Sequence, residues 1–159
     1  MNPNQSWLAA CRLADLNPSV YARSWLTERG SLTARLRRHW PDLAVELQGE
    51  ARELPWHCEL DRLGLSSDSL AWVRRVTLHQ SGQALVQART VIPAWSQTNP
   101  WQEIERLGCR PLGELLFQQT DLERSDFEFA STPSGWARRC VFRRQGAPLL
   151  LTEYFLAWL

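Results

Sequence analysis

The sequence predicts an α+β fold on one largely antiparallel sheet, and three observations carry that prediction. Two pairs of alternating apolar runs are each joined by a tight polar-glycine turn, Ser81-Gly82 and Gln145-Gly146, the usual link between adjacent antiparallel strands. Segments with helical start and stop signals lie before the first hairpin and between the two. They do not alternate one by one with strands, as a parallel sheet would require. The 159 residues, 44% of them hydrophobic, suit one core, so residues 1–159 are assigned to a single domain.

The elements follow in chain order. Asn17-Pro18 reads as an N-cap with proline at the first helical position, and Gly30 closes that helix near Arg29. Ser31 caps a second short helix, LTARLRRHW, which Pro41 stops. DLAVELQGEA alternates as a strand and runs into a stretch punctuated by Pro and Gly. LAWVRRVTLH and ALVQARTVIP form the first hairpin around Ser81-Gly82. NPWQEIERLG reads as a helix that Gly108 ends, and Pro111 opens another, PLGELLFQ. LERSDFEFAS returns to the sheet, and WARRCVFRRQGAPLLLTEYFLAWL supplies the second hairpin.

Composition narrows the function. A formal net charge of +1 provides no overall field for nucleic acid or an anionic membrane. The first two helices make a loose helix-turn-helix with a basic second helix, but at this charge balance the basic residues read as a solvated face. The nine Trp supply core mass, with a share able to wall a ring-shaped ligand. Cys11, Cys58, Cys109 and Cys140 form no CxxC, and His39, His57 and His79 form no HxxxH or HExxH, so no metal is expected. The cysteines read as reduced, mostly buried thiols. The N-terminal residues lack the pattern of a signal peptide and no 18-residue apolar run occurs, so the expected location is cytoplasmic, without a membrane span.

Strand parity singles out particular charges. Residues two apart share a face of a strand, so Glu153 shares the apolar face of Leu149, Leu151, Phe155 and Ala157. Arg74 falls in line with Leu70, Trp72, Val76 and Leu78 and points inward, whereas Arg75 aligns with Ala71, Thr77 and His79 and points outward. If Ser81-Gly82 is a two-residue turn, Gln80 meets Gln83 and Arg74 stands opposite Arg89 on the buried side. The second turn sets Glu153 opposite Arg138, on the face of Cys140 and Phe142. A Glu153–Arg138 salt bridge is the purely structural reading. The inward arginines outnumber the inward glutamate, however, and an anionic ligand would complete the balance. The first-turn NH groups after Ser31, beginning at Leu32, and after Pro111, beginning at Leu112, are further donors for a carboxylate.

The runs VRRVTLHQSGQALVQARTVIP, LGCRPLGELLF and ARRCVFRRQGAPLLLTEYFL, in that order and spacing, together with SWLTERGSLTARL, resemble the chorismate pyruvate-lyase family of ubiquinone biosynthesis. The resemblance covers nearly the whole chain and is weakest over residues 41–69. It implies a single antiparallel sheet of about six strands with helical flaps covering a buried ligand pocket. It also implies conversion of chorismate to 4-hydroxybenzoate and pyruvate with no metal or organic cofactor, by a monomer with small-molecule partners. Carried onto this sequence, the family's site residues fall on Arg74, Arg89, Glu153, Leu32 and Leu112: Arg74, Arg89 and Glu153 as catalytic groups, and Leu32, Arg74, Leu112 and Glu153 as substrate contacts. Leu32 stands where a family member has methionine, and Arg75 where it has glutamate. The alternative is a non-catalytic domain of related fold that senses a small acid, as in bacterial transcription regulators. A scaffolding role through exposed Trp has no positive sequence feature.

Overall fold

The structure, a computed structural model, describes residues 1, 4–118 and 120–159. Its strands are β1 (Leu8–Ala9), β2 (Ala44–Glu53), β3 (Ala71–Gln80), β4 (Gln83–Pro93), β5 (Glu123–Arg124), β6 (Glu128–Thr132), β7 (Gly135–Arg144) and β8 (Ala147–Phe155). Among the described residues they form one antiparallel sheet of eight strands in the order β1-β6-β7-β8-β4-β3-β2, with β5 against β7. Six are substantial, and the other two, β1 and β5, have two residues each. The helices are α1 (Val20–Leu26), α2 (Leu32–His39), α3 (His57–Leu63) and α4 (Leu112–Leu116), with 3-10 turns at Ala10–Leu16 and Gln102–Arg106.

Both hairpins form where the sequence places them. Ser81 and Gly82 have φ of 49° and 80°, and Gln145 and Gly146 have 50° and 80°. Positive φ at both central residues gives a turn whose twist matches that of the flanking strands. The central strands β4 and β8 are apolar enough to be covered on both faces. On one face, Val76, Leu78, Val86, Ala88, Cys140, Phe142 and Leu149 join Trp25, Leu26, Leu32, Leu36 and Leu112 in the main core. On the other, Ala71, Val73, Val91, Val141 and Leu150 pack with Leu63 of α3, and Ala130, Ala137 and Tyr154 pack with Trp7 and Trp56.

Several expectations are corrected. The first helix is capped by Ser19, whose hydroxyl accepts from the Ala22 NH at 3.0 Å, and it ends at Leu26 well short of Arg29. Asn17 instead closes the preceding 3-10 turn with φ of 49°. The Pro- and Gly-punctuated stretch contains α3, begun by the Trp56 NH donating to Glu59 at 2.8 Å and ended at Gly64 with φ of 65°. LERSDFEFAS is divided into β5 and β6. Cys11 and Cys109 are exposed, so only Cys140 is a buried thiol, with Cys58 half-buried.

The correction with most consequence is in the first hairpin. Gln80 pairs with Gln83 as expected, but a bulge at Leu78/His79 shifts the register, so that Leu78 meets Val86 and Arg74 meets Thr90. Arg89 now stands opposite Arg75. A shift of one residue moves a side chain to the other face, so Arg74 and Arg89 lie on opposite sides of the sheet. The second hairpin keeps the expected register, with Arg138 opposite Glu153.

Candidate active site

A pocket lies between the middle of the sheet and the starts of α2 and α4, with about 670 Å³ of empty space including its mouth. Its floor exists because β4 presents small side chains there: Ala88 and Thr90 face the pocket between Arg74 and Val76 of β3 and Leu151 and Glu153 of β8. Gly30, Leu32 and Thr33 form one wall, and Pro111, Leu112, Gly113 and Leu116 another. The two walls meet tip to tip: a β-carbon at Gly113 would sit 3.0 Å from the Ser31 hydroxyl. Ser31 is the α2 cap, accepting from the Ala34 NH at 3.2 Å, as its sequence position predicts.

Arg74 is buried, with 1% of its surface exposed. One of its nitrogens, Nη2, donates to the carbonyls of Gly108 (2.7 Å) and Arg110 (3.1 Å) just before α4. Its Nε makes no hydrogen bond among the described residues, and the nearest acid, Glu50, is 3.8 Å away. Burial disfavours both charges: it lowers the Arg74 pKa and raises that of Glu50, each opposed by their mutual attraction. A desolvated guanidinium with spare donors is a ready partner for a carboxylate.

Glu153 is held from its floor side. Arg138 Nε donates to its Oε2 at 2.6 Å, while Arg138 Nη1 donates to the carbonyls of Trp25 (3.2 Å), Leu26 (3.2 Å) and Glu28 (2.7 Å) at the end of α1. The salt bridge expected on structural grounds is therefore present, and Arg138 is held by it through Nε and by the carbonyls at the end of α1 through Nη1. Beside them, burial pushes the Cys140 thiol up to about 12, so that it adds no charge. Arg124 of β5 is a third guanidinium on the pocket wall, and pattern reading missed it: a two-residue strand carries no periodicity to follow.

The charged residues lining the pocket are thus Arg74, Arg124, Arg138 and Glu153, a surplus of two positive charges. Arg74 on β3 and Glu153 on β8 are separated by β4, or about 10 Å across the strands. Leu32 and Leu112, the first residues of α2 and α4, also line the pocket. Arg89 does not share it. Its Nε and Nη2 donate to the two oxygens of Glu59 on α3 at 2.7 and 3.0 Å, and its guanidinium lies 4.0 Å from the centre of the Trp56 ring. Among the described residues, no three His, Cys, Asp or Glu converge on a possible metal position, and no helix is long and apolar enough to cross a membrane.

Comparison with known proteins adds to this geometry. A sequence model of the family described as chorismate lyase matches residues 1–158. A probable chorismate pyruvate-lyase of Hydrogenovibrio crunogenus is 36% identical over 165 residues, covering 94% of this chain and 89% of that protein. Chorismate pyruvate-lyases of Serratia proteamaculans (38% identical; 97% and 87% covered) and Salmonella arizonae (33%; 98% and 95%) are similarly related. In fold, the chain resembles the crystal structure of the effector domain of PhnF from Mycobacterium smegmatis, with a TM-score of 0.54 and 14% identity over 80% of this chain and 88% of that one.

Proposed function

This chain belongs to the chorismate lyase family, and on that premise we propose that its pocket converts chorismate to 4-hydroxybenzoate and pyruvate, a step of ubiquinone biosynthesis in that family. The observation that carries the reading is the lining: three guanidiniums and one carboxylate around a ring-sized space. Chorismate is a dianion with one ring hydroxyl, so its two carboxylates would offset the two surplus positive charges while the hydroxyl donates to the remaining acid. The PhnF likeness extends to the fold alone and brings no sensing role with it.

In the bound substrate, Arg74 and the backbone NH groups of Leu32 and Leu112 hold the ring carboxylate. Glu153 Oε1, left free by Arg138, accepts from the ring hydroxyl. The reaction breaks the ring carbon–oxygen bond to the enolpyruvyl group, and the hydrogen on the neighbouring hydroxyl-bearing carbon departs. Its electrons complete the aromatic ring, and the enolpyruvyl carbon takes up a proton to become pyruvate. Aromatisation drives the step, so the protein's work is to bind, orient and exclude water, with α1, α2 and α4 acting as helical flaps over the pocket. The product keeps the ring carboxylate and hydroxyl, so it binds the same groups, and its release limits turnover.

The test mixes purified, chelator-treated protein with chorismate and follows both products, alongside Glu153→Ala. Equal amounts of 4-hydroxybenzoate and pyruvate from the parent, with turnover lost in the variant, are expected. If the parent forms neither product but chorismate still raises its Tm, the lyase reading fails and a binding role replaces it.

A further inference from the structure

The bulge that removes Arg89 from the pocket leaves the second carboxylate of chorismate without an assigned cation. We propose that Arg124 takes it: Arg124 is the subsite for the enolpyruvyl carboxylate and discriminates substrate from product. This inference rests on the lyase reading and its placement of the ring.

The placement follows from the substrate's own connectivity. The enolpyruvyl ether and the hydroxyl are on adjacent ring carbons. With the ring carboxylate at Arg74 and the hydroxyl at Glu153, the ether lies at the Glu153 end of the pocket. Two guanidiniums line that end. Arg138 already has a carboxylate for its charge, with Nε on Glu153, and its Nη1 is held by the carbonyls of Trp25, Leu26 and Glu28. Arg124 has none: no carboxylate lies within 4 Å of it among the described residues, unlike Arg74, Arg89, Arg138 and Arg139.

Arg124 is also fixed in place. Its Nη1 donates to the Arg29 carbonyl at 2.7 Å, in the turn between α1 and α2, and its guanidinium lies 5.1 Å from the centre of the Phe127 ring. β5 holds its backbone opposite Phe142, another pocket residue. The remaining donors, Nε and Nη2, have no hydrogen-bond acceptor among the described residues. The half-buried side chain spans the gap between sheet and helices, where a carboxylate hanging from the ring would reach it. Burial first, and then the neighbouring Arg29 and Arg138, disfavour the charge of Arg124, and an anion beside it would offset that cost.

The product lacks the enolpyruvyl carboxylate, and the test uses that difference. Arg124→Gln removes the charge and, its amide nitrogen standing two bonds short of Nη1, also gives up the contact with the Arg29 carbonyl, an effect that product binding reads separately. Arg124→Lys returns the charge without the fork. For Arg124→Gln, KM for chorismate is expected to rise roughly 10- to 100-fold, the value of one charge-assisted pair, while the Kd for 4-hydroxybenzoate stays within about threefold of the parent. Arg124→Lys should recover part of the loss in KM. If the Kd for 4-hydroxybenzoate weakens as much as KM rises, Arg124 acts only by tethering the turn and the proposal is overturned. An unchanged KM overturns it equally. Failure of the lyase reading is separate, because it appears as an inactive parent.

Discussion

The two faces of the sheet use arginine and glutamate to opposite ends. On the face packed against α3, the guanidiniums are matched within the protein. Arg89 is bidentate on Glu59, Arg75 meets Glu53 at 2.6 Å, and Arg139 and Arg62 share Glu128 at 2.6 and 3.2 Å. Trp56 and Trp7 lie over Arg89 and Arg139. On the pocket face, Arg74 has only a distant acid, Glu50 at 3.8 Å, Arg124 has none within 4 Å among the described residues, and Glu153 is paired with Arg138. Burying an unpaired charge costs several kcal/mol, so the pocket face stores a deficit that an anion relieves, whereas the back face has none to offer. On the proposed function, the same sheet keeps its stability on one side and its binding on the other.

The most damaging way to break that division is on the back face. Glu59→Gln leaves Arg89 buried without its carboxylate, and stability measured by urea unfolding should fall by about 3–5 kcal/mol, while KM for chorismate of the folded protein changes less than threefold. Loss of substrate affinity without loss of stability would contradict the comparison. Arg74→Ala is the counterpart on the pocket face. Its kcat/KM for chorismate should drop roughly 10²- to 10³-fold with a smaller stability change, and Arg74→Lys should not restore it, because an ammonium lacks the planar fork. A large stability loss with kcat/KM intact would make Arg74 a structural residue like Arg89.

The smallest expected effect sharpens the contrast. Glu50 is the acid nearest to Arg74, and burial raises its pKa above the ordinary carboxylate range. As pH rises through that raised value, Glu50 gains its charge and competes with the ligand for Arg74, so 4-hydroxybenzoate binding weakens. Glu50→Gln should bind 4-hydroxybenzoate about two- to fivefold more tightly at neutral pH and lose that part of the pH dependence, as read by calorimetry. Weaker binding in the variant would mean that Glu50 supports the site.

Much of this site is legible from period-two alternation and caps. The inward direction of Arg74 and Glu153, the Glu153–Arg138 pairing and the Ser31 cap all follow from residues close in sequence. Arg89 and Arg124 do not. Arg89 sits in an alternating strand like Arg74, yet its face depends on an irregularity ten residues earlier in the chain, at Leu78/His79. Arg124 occupies a strand too short to show a pattern, and its importance comes from the turn at Arg29, far away in sequence. The helix α3 was hidden for a related reason: Pro55 and Gly64 look like loop punctuation, although they flank a seven-residue helix whose Glu59 does double duty as cap partner and counterion.

By itself the sequence determined the antiparallel α+β architecture, both hairpins and the family, because turns, alternation and motifs are local and each is written in a few adjacent residues. Only the tertiary structure decided which charges meet. Register across a hairpin accumulates every irregularity between the turn and the residue, and one bulge is enough to send Arg89 to Glu59, while Arg124 reaches the pocket through the pairing of β5 with β7 and its contact with the distant turn at Arg29.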